Sequence, residues 1–239
     1  RTPDAVMAAA SDARGAAGLG DKWRSDADHH KPEADVDYTA AAGFVFFTID
    51  PSDHVDTEAD NYDAATLEKK FRGVHSSVTW LRDYEGKVIK VDGGPTITFD
   101  APTLQRAAVK YGRAIAHAQG LAAYIRKATD KLGQPHEIEI SVDETPQPTT
   151  PAEHYIIAEQ LMTAGVALVS LAPRFIGDFE KGVDFKGDLD ALDRSLADHA
   201  AIARQVGPYK LSLHSGSDKL SMYGMLARAT RGLFHVKTA

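Results

Sequence analysis

The chain contains no cysteine. That absence excludes disulfides, thiolate nucleophiles, iron–sulfur clusters and cysteine-ligated zinc together. Any metal must then be held by His, Asp and Glu, a donor set that points to catalytic rather than structural sites. Positive charge is also scarce: 27 Lys and Arg stand against 34 Asp and Glu, a formal net charge of −7. An acidic protein does not attract nucleic acid or an anionic membrane surface, so neither is expected as a partner. A local basic pocket for a small anion remains compatible with that total. Long apolar runs are missing too. No stretch approaches the roughly 20 residues of a membrane span, and no basic-then-apolar leader opens the chain, so a cytoplasmic location is expected. The phosphate-loop fingerprints GxGxxG and GxxxxGK[ST] do not occur, which removes the usual mark of a doubly wound nucleotide-binding sheet.

What is present is an alternation. The 239 residues are 43% hydrophobic, enough for one large core. Apolar strand-like runs alternate with helical ones, the pattern of an α/β fold with a largely parallel sheet. Strands are predicted at Gly43–Asp50, Glu137–Asp143, Val166–Leu171, Tyr209–His214 and Leu233–Lys237. Helices are predicted from Asp100 to about residue 130, Thr150 to Gly165, Asp188 to Val206 and Ser217 to Thr230. Their limits are marked chemically. Thr150-Pro151-Ala152-Glu153 is a capping box with proline in the first turn, and Gly165, Gly207-Pro208 and Gly232 act as stops. Residues from about 55 to 95 read as an insertion with a short helix near Ala64–Phe71. The strand ends decide between an open sheet and a barrel. Asp50, Asp143, Arg174, His214 and Lys237 stand at or just past strand C-termini, and a (β/α)8 barrel builds its site from those ends. The chain is therefore read as one domain, residues 1–239, of a (β/α)8 TIM-type barrel. With five or six strands rather than eight, and an ending on a strand, the barrel is expected to be incomplete at both ends.

Alternation along the strands also selects the chemical groups. Glu137, Glu139, Ser141 and Asp143 share one strand face, as do Lys210, Ser212 and His214, and His235 and Lys237. Polar groups on an inward face are costly unless paired or ligating. Two histidines at successive strand ends, with carboxylates on another strand, point to a divalent metal. His214, His235, Glu139 and His29 are the candidate ligands. The competing reading of each histidine alone is a hydrogen-bonded core residue, and of Ser25–Lys31 a solvated loop. Asp28, Asp143 and Lys237 are the candidates for acid–base work. Ser215 and Lys219, in a strand-to-helix turn, and Arg174, after Leu171-Ala172-Pro173, are candidate anion-binding residues. A plain turn capped by Ser217, and a surface salt bridge, are the bland alternatives.

Several stretches are distinctive beyond their chemistry. Asp26-Ala27-Asp28-His29, Thr48-Ile49-Asp50-Pro51-Ser52 and Glu139-Ile140-Ser141-Val142-Asp143-Glu144-Thr145 come first along the chain. Ser170-Leu171-Ala172-Pro173-Arg174-Phe175, the run Leu211–Lys219 and His235-Val236-Lys237-Thr238-Ala239 follow in order. Together they resemble the tagaturonate epimerase family. The resemblance implies a metal-dependent barrel enzyme interconverting D-tagaturonate and D-fructuronate in hexuronate breakdown, with a small sugar acid as partner and Zn, Mn or Ni as the divalent ion. It also implies further strands before Arg1 and after Ala239. The carbon inverted in that reaction is β to the ketone, so proton abstraction beside the carbonyl cannot invert it. Retro-aldol cleavage, rotation and re-addition can. Transient oxidation would call for a nicotinamide, for which no fingerprint exists here. The alternatives are a metal-dependent ketose isomerase or aldolase on another sugar and, from another class, a non-catalytic sugar-acid-binding barrel.

Overall fold

The computed structural model describes residues 2–20 and 25–238; Arg1 and Ala239, named above as chain limits, lie outside the described residues. In chain order the elements are α1 (Pro3–Ala17), β1 (Asp26–His30), α2 (Glu33–Ala41), β2 (Phe46–Ile49), α3 (Ala64–Val74), β3 (Val88–Lys90) and β4 (Thr96–Thr98). They continue with α4 (Ala101–Leu132), β5 (Glu137–Ser141), α5 (Pro151–Thr163), β6 (Leu168–Ala172), α6 (Leu189–Val206), β7 (Lys210–Leu213), α7 (Leu220–Thr230) and β8 (Phe234–Val236).

The local chemistry explains most of these limits. Asp100 caps α4 by accepting from Thr103 N, and Gly133, at φ 66°, closes it in the left-handed region that glycine tolerates. Thr150 and Glu153 cap each other's backbone at the start of α5. Asp188 accepts from Asp190 N and Ala191 N at the start of α6. Helices α1 and α2 were not expected. The first has no buried residue and the second only Val36 and Ala40, so neither carries an apolar stripe to read. Ser25–Lys31, for which a solvated loop was one reading, contains strand β1, with Ala27 and His30 buried. The turn at Ser217 is also different from the simple reading: residues 216–218 form a short 3-10 turn, and α7 begins after Lys219 without a side-chain cap.

Six strands form one parallel sheet in the order β1-β2-β5-β6-β7-β8, and β3 pairs antiparallel with β4 apart from it. Spatial order follows chain order, as in a barrel wall. Helices α2, α4, α5, α6 and α7 pack on one another in the same succession. A single ion pair demonstrates the curl. Lys237 Nζ, just past β8, lies 3.2 Å from Asp26 Oδ2 on β1. Five strand spacings of roughly 4.8 Å would separate the outer strands of a flat sheet by about 24 Å, beyond any lysine's reach. Among the described residues the sheet is therefore a curled, partial barrel of six strands rather than a closed one of eight.

The outer face of the sheet is apolar. Phe47, Ile49, Ile138, Ile140, Leu171, Leu211 and Leu213 are buried in one core with the helices. Residues 55–95 are not a free flap, because Val78, Trp80, Leu81, Tyr84 and Val91 belong to that same core. The contact with α4 is close enough to require glycine: a Cβ at Gly112 would lie 2.6 Å from Val78 Cγ2. Beneath the loop after β5 runs a buried polar chain. His154 Nδ1 lies 2.8 Å from His199 Nδ1, Tyr209 Oη lies 2.9 Å from His154 Nε2, and His199 also bonds the Thr149 backbone. A carbonyl only accepts, so His199 donates there and accepts at Nδ1. His154 must then donate from Nδ1 and accept the tyrosine hydroxyl at Nε2. Every group is satisfied with both rings neutral.

Candidate active site at the strand ends

Register puts the central residues side by side. Thr48 on β2 is aligned with Glu139 on β5, Glu139 with Ser170 on β6, and Ser212 on β7 with His235 on β8. These side chains share the concave face, where small and polar groups replace the layered apolar residues of a filled barrel. Glu139 is completely buried and would be costly as an anion if unpaired. It is paired on all sides. Its Oε1 lies 2.8 Å from His214 Nε2 and 3.0 Å from Lys237 Nζ, and accepts from Thr48 Oγ1 at 3.2 Å. Its Oε2 accepts from Ser170 Oγ and lies 3.3 Å from His235 Nδ1. Burial alone would push its carboxyl up; the bonds from His214 and His235 and the charge of Lys237 outweigh it and hold the group well below the usual carboxylate range.

Lys237 is the second organiser. Its ammonium donates to Thr48 Oγ1 and lies 2.5 Å from Asp28 Oδ1, besides the contacts to Asp26 and Glu139. Burial opposes the charge, but the Glu139, Asp28 and Asp26 carboxylates raise its pKa, so it stays an ammonium. His214 is likewise disfavoured as a cation by burial, yet Asp143 and Glu139 lift it to about 9. Its Nδ1 lies 3.4 Å from Asp143 Oδ1, off the hydrogen-bonding line, and is buried without a partner. Asp143 also accepts from Ser141 Oγ and, despite its burial, is held below the normal range by His214.

On the β1 side His29 takes the left-handed conformation at φ 54°, and Ser215, after β7, does the same at φ 49°. Non-glycine residues held there concentrate at functional sites. His29 Nδ1 lies 3.1 Å from Asp50 Oδ2 and its Nε2 lies 3.6 Å from Asp28 Oδ1. The bond to Asp50 raises the His29 pKa, and His29 in turn helps hold Asp50 at about 2 against the effect of burial.

Among the described residues, two groups have donor atoms within 4.8 Å of one another, as a metal ion needs: Asp28, His29 and His214, and His29, Asp50 and Glu144. Two imidazoles with a carboxylate suit a divalent ion with open positions, and the orphaned His214 Nδ1 is the kind of buried atom a ligand satisfies. Of the four expected ligands, His29 and His214 enter these groups. Glu139 and His235 are bonded to each other instead. Asp28, expected as a proton carrier, sits with the donors, as do Asp50, expected only as a strand-end acid, and Glu144, to which no role was given.

Beside His214 opens a cavity of about 340 Å³, lined by Asp143, Arg174, Phe179, Lys181, Ser212 and Ser215 among others. Arg174 is on its wall, with Nε donating to Thr145 O at 3.2 Å and Nη1 to Phe175 O at 3.1 Å. Lys219 is elsewhere. It is fully buried and donates to the carbonyls of Glu180 at 2.7 Å and Val183 at 2.5 Å, a staple for the loop after β6 rather than a lining residue. Sequence reasoning passed over Asp26, Thr48 and Lys181. Strand alternation from Asp50 would have flagged Thr48, whereas Lys181 lies in an irregular loop that gives no such signal.

A parallel α/β sheet curled into part of a barrel, with acids, histidines and lysine gathered at its C-terminal strand ends, is the class defined here. Among the described residues no helix is long and apolar enough to cross a membrane. The chain belongs to the tagaturonate epimerase family, whose sequence profile matches residues 1–239. It is 43% identical over 222 residues to the tagaturonate/fructuronate epimerase of Thermotoga maritima, covering 93% of this chain and 45% of that protein. Crystal structures of the fructuronate-tagaturonate epimerase of Cohnella laeviribosi are also similar. The one complexed with one glycerol has a TM-score of 0.86 at 40% identity, and the native one 0.84 at 39%, each covering 93% of this chain and 45% of that one. The chain thus spans a little under half the length of these relatives.

Proposed function

We propose that this chain carries the strand-end apparatus of an epimerase that interconverts D-tagaturonate and D-fructuronate, dependent on a divalent metal and working by carbon–carbon cleavage and re-addition. The observation that carries the reading is similarity to that family along all 239 residues, including each strand end that contributes to the cluster around Glu139.

The chemistry follows from the charges. A divalent ion at Asp28, His29 and His214 would polarise the substrate ketone and stabilise negative charge developing on its oxygen. Asp143, a carboxylate at neutral pH beside that ion, accepts the proton of the hydroxyl on the carbon β to the ketone. The freed electron pair forms an aldehyde, the bond to the α carbon breaks, and its electrons remain on the ketone fragment as an enediolate. Rotation of the aldehyde presents its other face. Bond formation there regenerates an alkoxide, which takes back the proton from Asp143, so charge and protons balance. Lys237, fixed as an ammonium among three carboxylates, contributes positive field and fixes Asp28. A lysine held as an ammonium is a poor imine-forming nucleophile, so Lys237 is assigned an electrostatic role rather than a Schiff base.

The test is proton NMR of D-fructuronate incubated with the purified protein in deuterated water. Tagaturonate is expected to form without solvent deuterium at the inverted carbon. EDTA is expected to abolish turnover and Mn²⁺, Ni²⁺ or Zn²⁺ to restore it. Full activity in the stripped protein sinks the metal, and deuterium at the inverted carbon sinks the cleavage route.

A further inference from the structure

The cavity beside His214 has two chemically different ends. At the buried end is Ser212, 1% exposed on β7, whose hydroxyl has no hydrogen-bond partner. An unsatisfied buried hydroxyl on a residue that lines a cavity is costly in the empty protein, which is the signature of a group that a bound molecule completes. At the rim stands Lys181, whose exposed side chain lines the same cavity. Its position is fixed from both sides. Lys219 grips the carbonyls of Glu180 and Val183, and Asp218 Oδ2 accepts from Gly182 N at 3.1 Å. The neighbouring Arg174 already gives two of its N–H groups to carbonyls. A volume of about 340 Å³ is at the small end for ligand pockets, which begin at about 300 Å³.

The geometry points to Ser212 and Lys181 as the residues that select the ligand: Lys181 binds its carboxylate and Ser212 hydrogen-bonds a chain hydroxyl, so that the molecule lies across the cavity with its charged end at the rim. Lys219 acts on this through Lys181, as a positioning residue. The assignment rests on the sugar-acid reading above for the identity of the ligand. It goes beyond that reading in giving the ligand an orientation and naming two residues that recognise it.

Calorimetric titration with D-fructuronate and with the uncharged ketohexose D-fructose, Mn²⁺ present, tests the assignment on the 239-residue protein and two variants. Lys181→Met is expected to weaken D-fructuronate about tenfold and to leave D-fructose unchanged. Ser212→Ala is expected to weaken both about fivefold. It should also leave the melting temperature of the unliganded protein unchanged or higher, since the variant removes an unsatisfied buried hydroxyl. A merely structural serine would lower that temperature instead. Wild-type affinity for D-fructuronate in either variant overturns the assignment while the functional reading stands. No binding of D-fructuronate by the wild-type protein overturns both.

Discussion

Acid should destabilise this protein through two fully buried histidines behind the cavity wall. The perturbation is protonation of the His154–His199 pair. Burial drives the His154 pKa well below its ordinary 6.5, with the His199 ring adding to the effect, and burial lowers His199 to about 4. The sign follows from which state binds protons. Between pH 6.5 and 4 the unfolded chain protonates both rings and the folded chain does not, so stability falls as pH falls. For His199 the interval from 6.5 to 4 corresponds to about 3 kcal/mol at roughly 1.4 kcal/mol per unit, and His154 acts in the same direction. The structural cause is the tautomer chain. A proton added at His199 Nδ1 would set two N–H groups against each other across 2.8 Å. Urea unfolding followed by circular dichroism through this pH interval measures the slope. His199→Gln provides the control, since its amide can accept from His154 and donate to Thr149 without titrating. The variant should lose about one proton from the slope, roughly 1.4 kcal/mol per pH unit. Equal slopes in variant and wild type would refute the reasoning, as would a His199 ring that titrates near 6.5 in NMR.

Other perturbations test other parts of the structure. Glu139→Gln leaves Lys237, His214 and His235 around a neutral amide whose NH₂ opposes their donors, and should cost about 3–5 kcal/mol of stability in urea unfolding; unchanged stability would count against a paired buried carboxylate. Gly112→Ala forces a methyl against Val78 and should lower stability by about 1–2 kcal/mol despite the better helix propensity of alanine, read as a fall in melting temperature. Borohydride added during turnover of D-fructuronate should leave the protein mass unchanged, because Lys237 is held as an ammonium; an adduct on Lys237 would overturn that charge assignment.

Much of the fold was written in two kinds of signal. Caps and stops fixed the helices from Asp100, Thr150 and Asp188 to within a few residues, because a helix end must satisfy its own backbone groups with local side chains. Alternation in Glu137–Asp143 exposed Glu139 and Asp143 as a chemical face. Where those signals lapse, the reading lapses. Helix α1 has no fully buried residue, and the β3–β4 pair is three residues a side, too short for a pattern. The site was legible as a set of strand-end groups but not as a network. That Glu139 is enclosed by donors, and that Lys219 holds a loop while Lys181 lines the cavity, are matters of tertiary packing between residues far apart in sequence.

The clasp between Lys237 and Asp28 joins residues 209 positions apart. Closing so long a loop carries an entropic cost that local contacts cannot offset. The contact therefore forms only after the intervening strands and helices have stacked in order, which places it among the last events of folding. A chain in which only a few strands have assembled keeps Asp28 and Lys237 apart and leaves Glu139 without its ammonium. Completion of the charge cluster is thus coupled to completion of the architecture, and a half-folded protein would carry no half-working site.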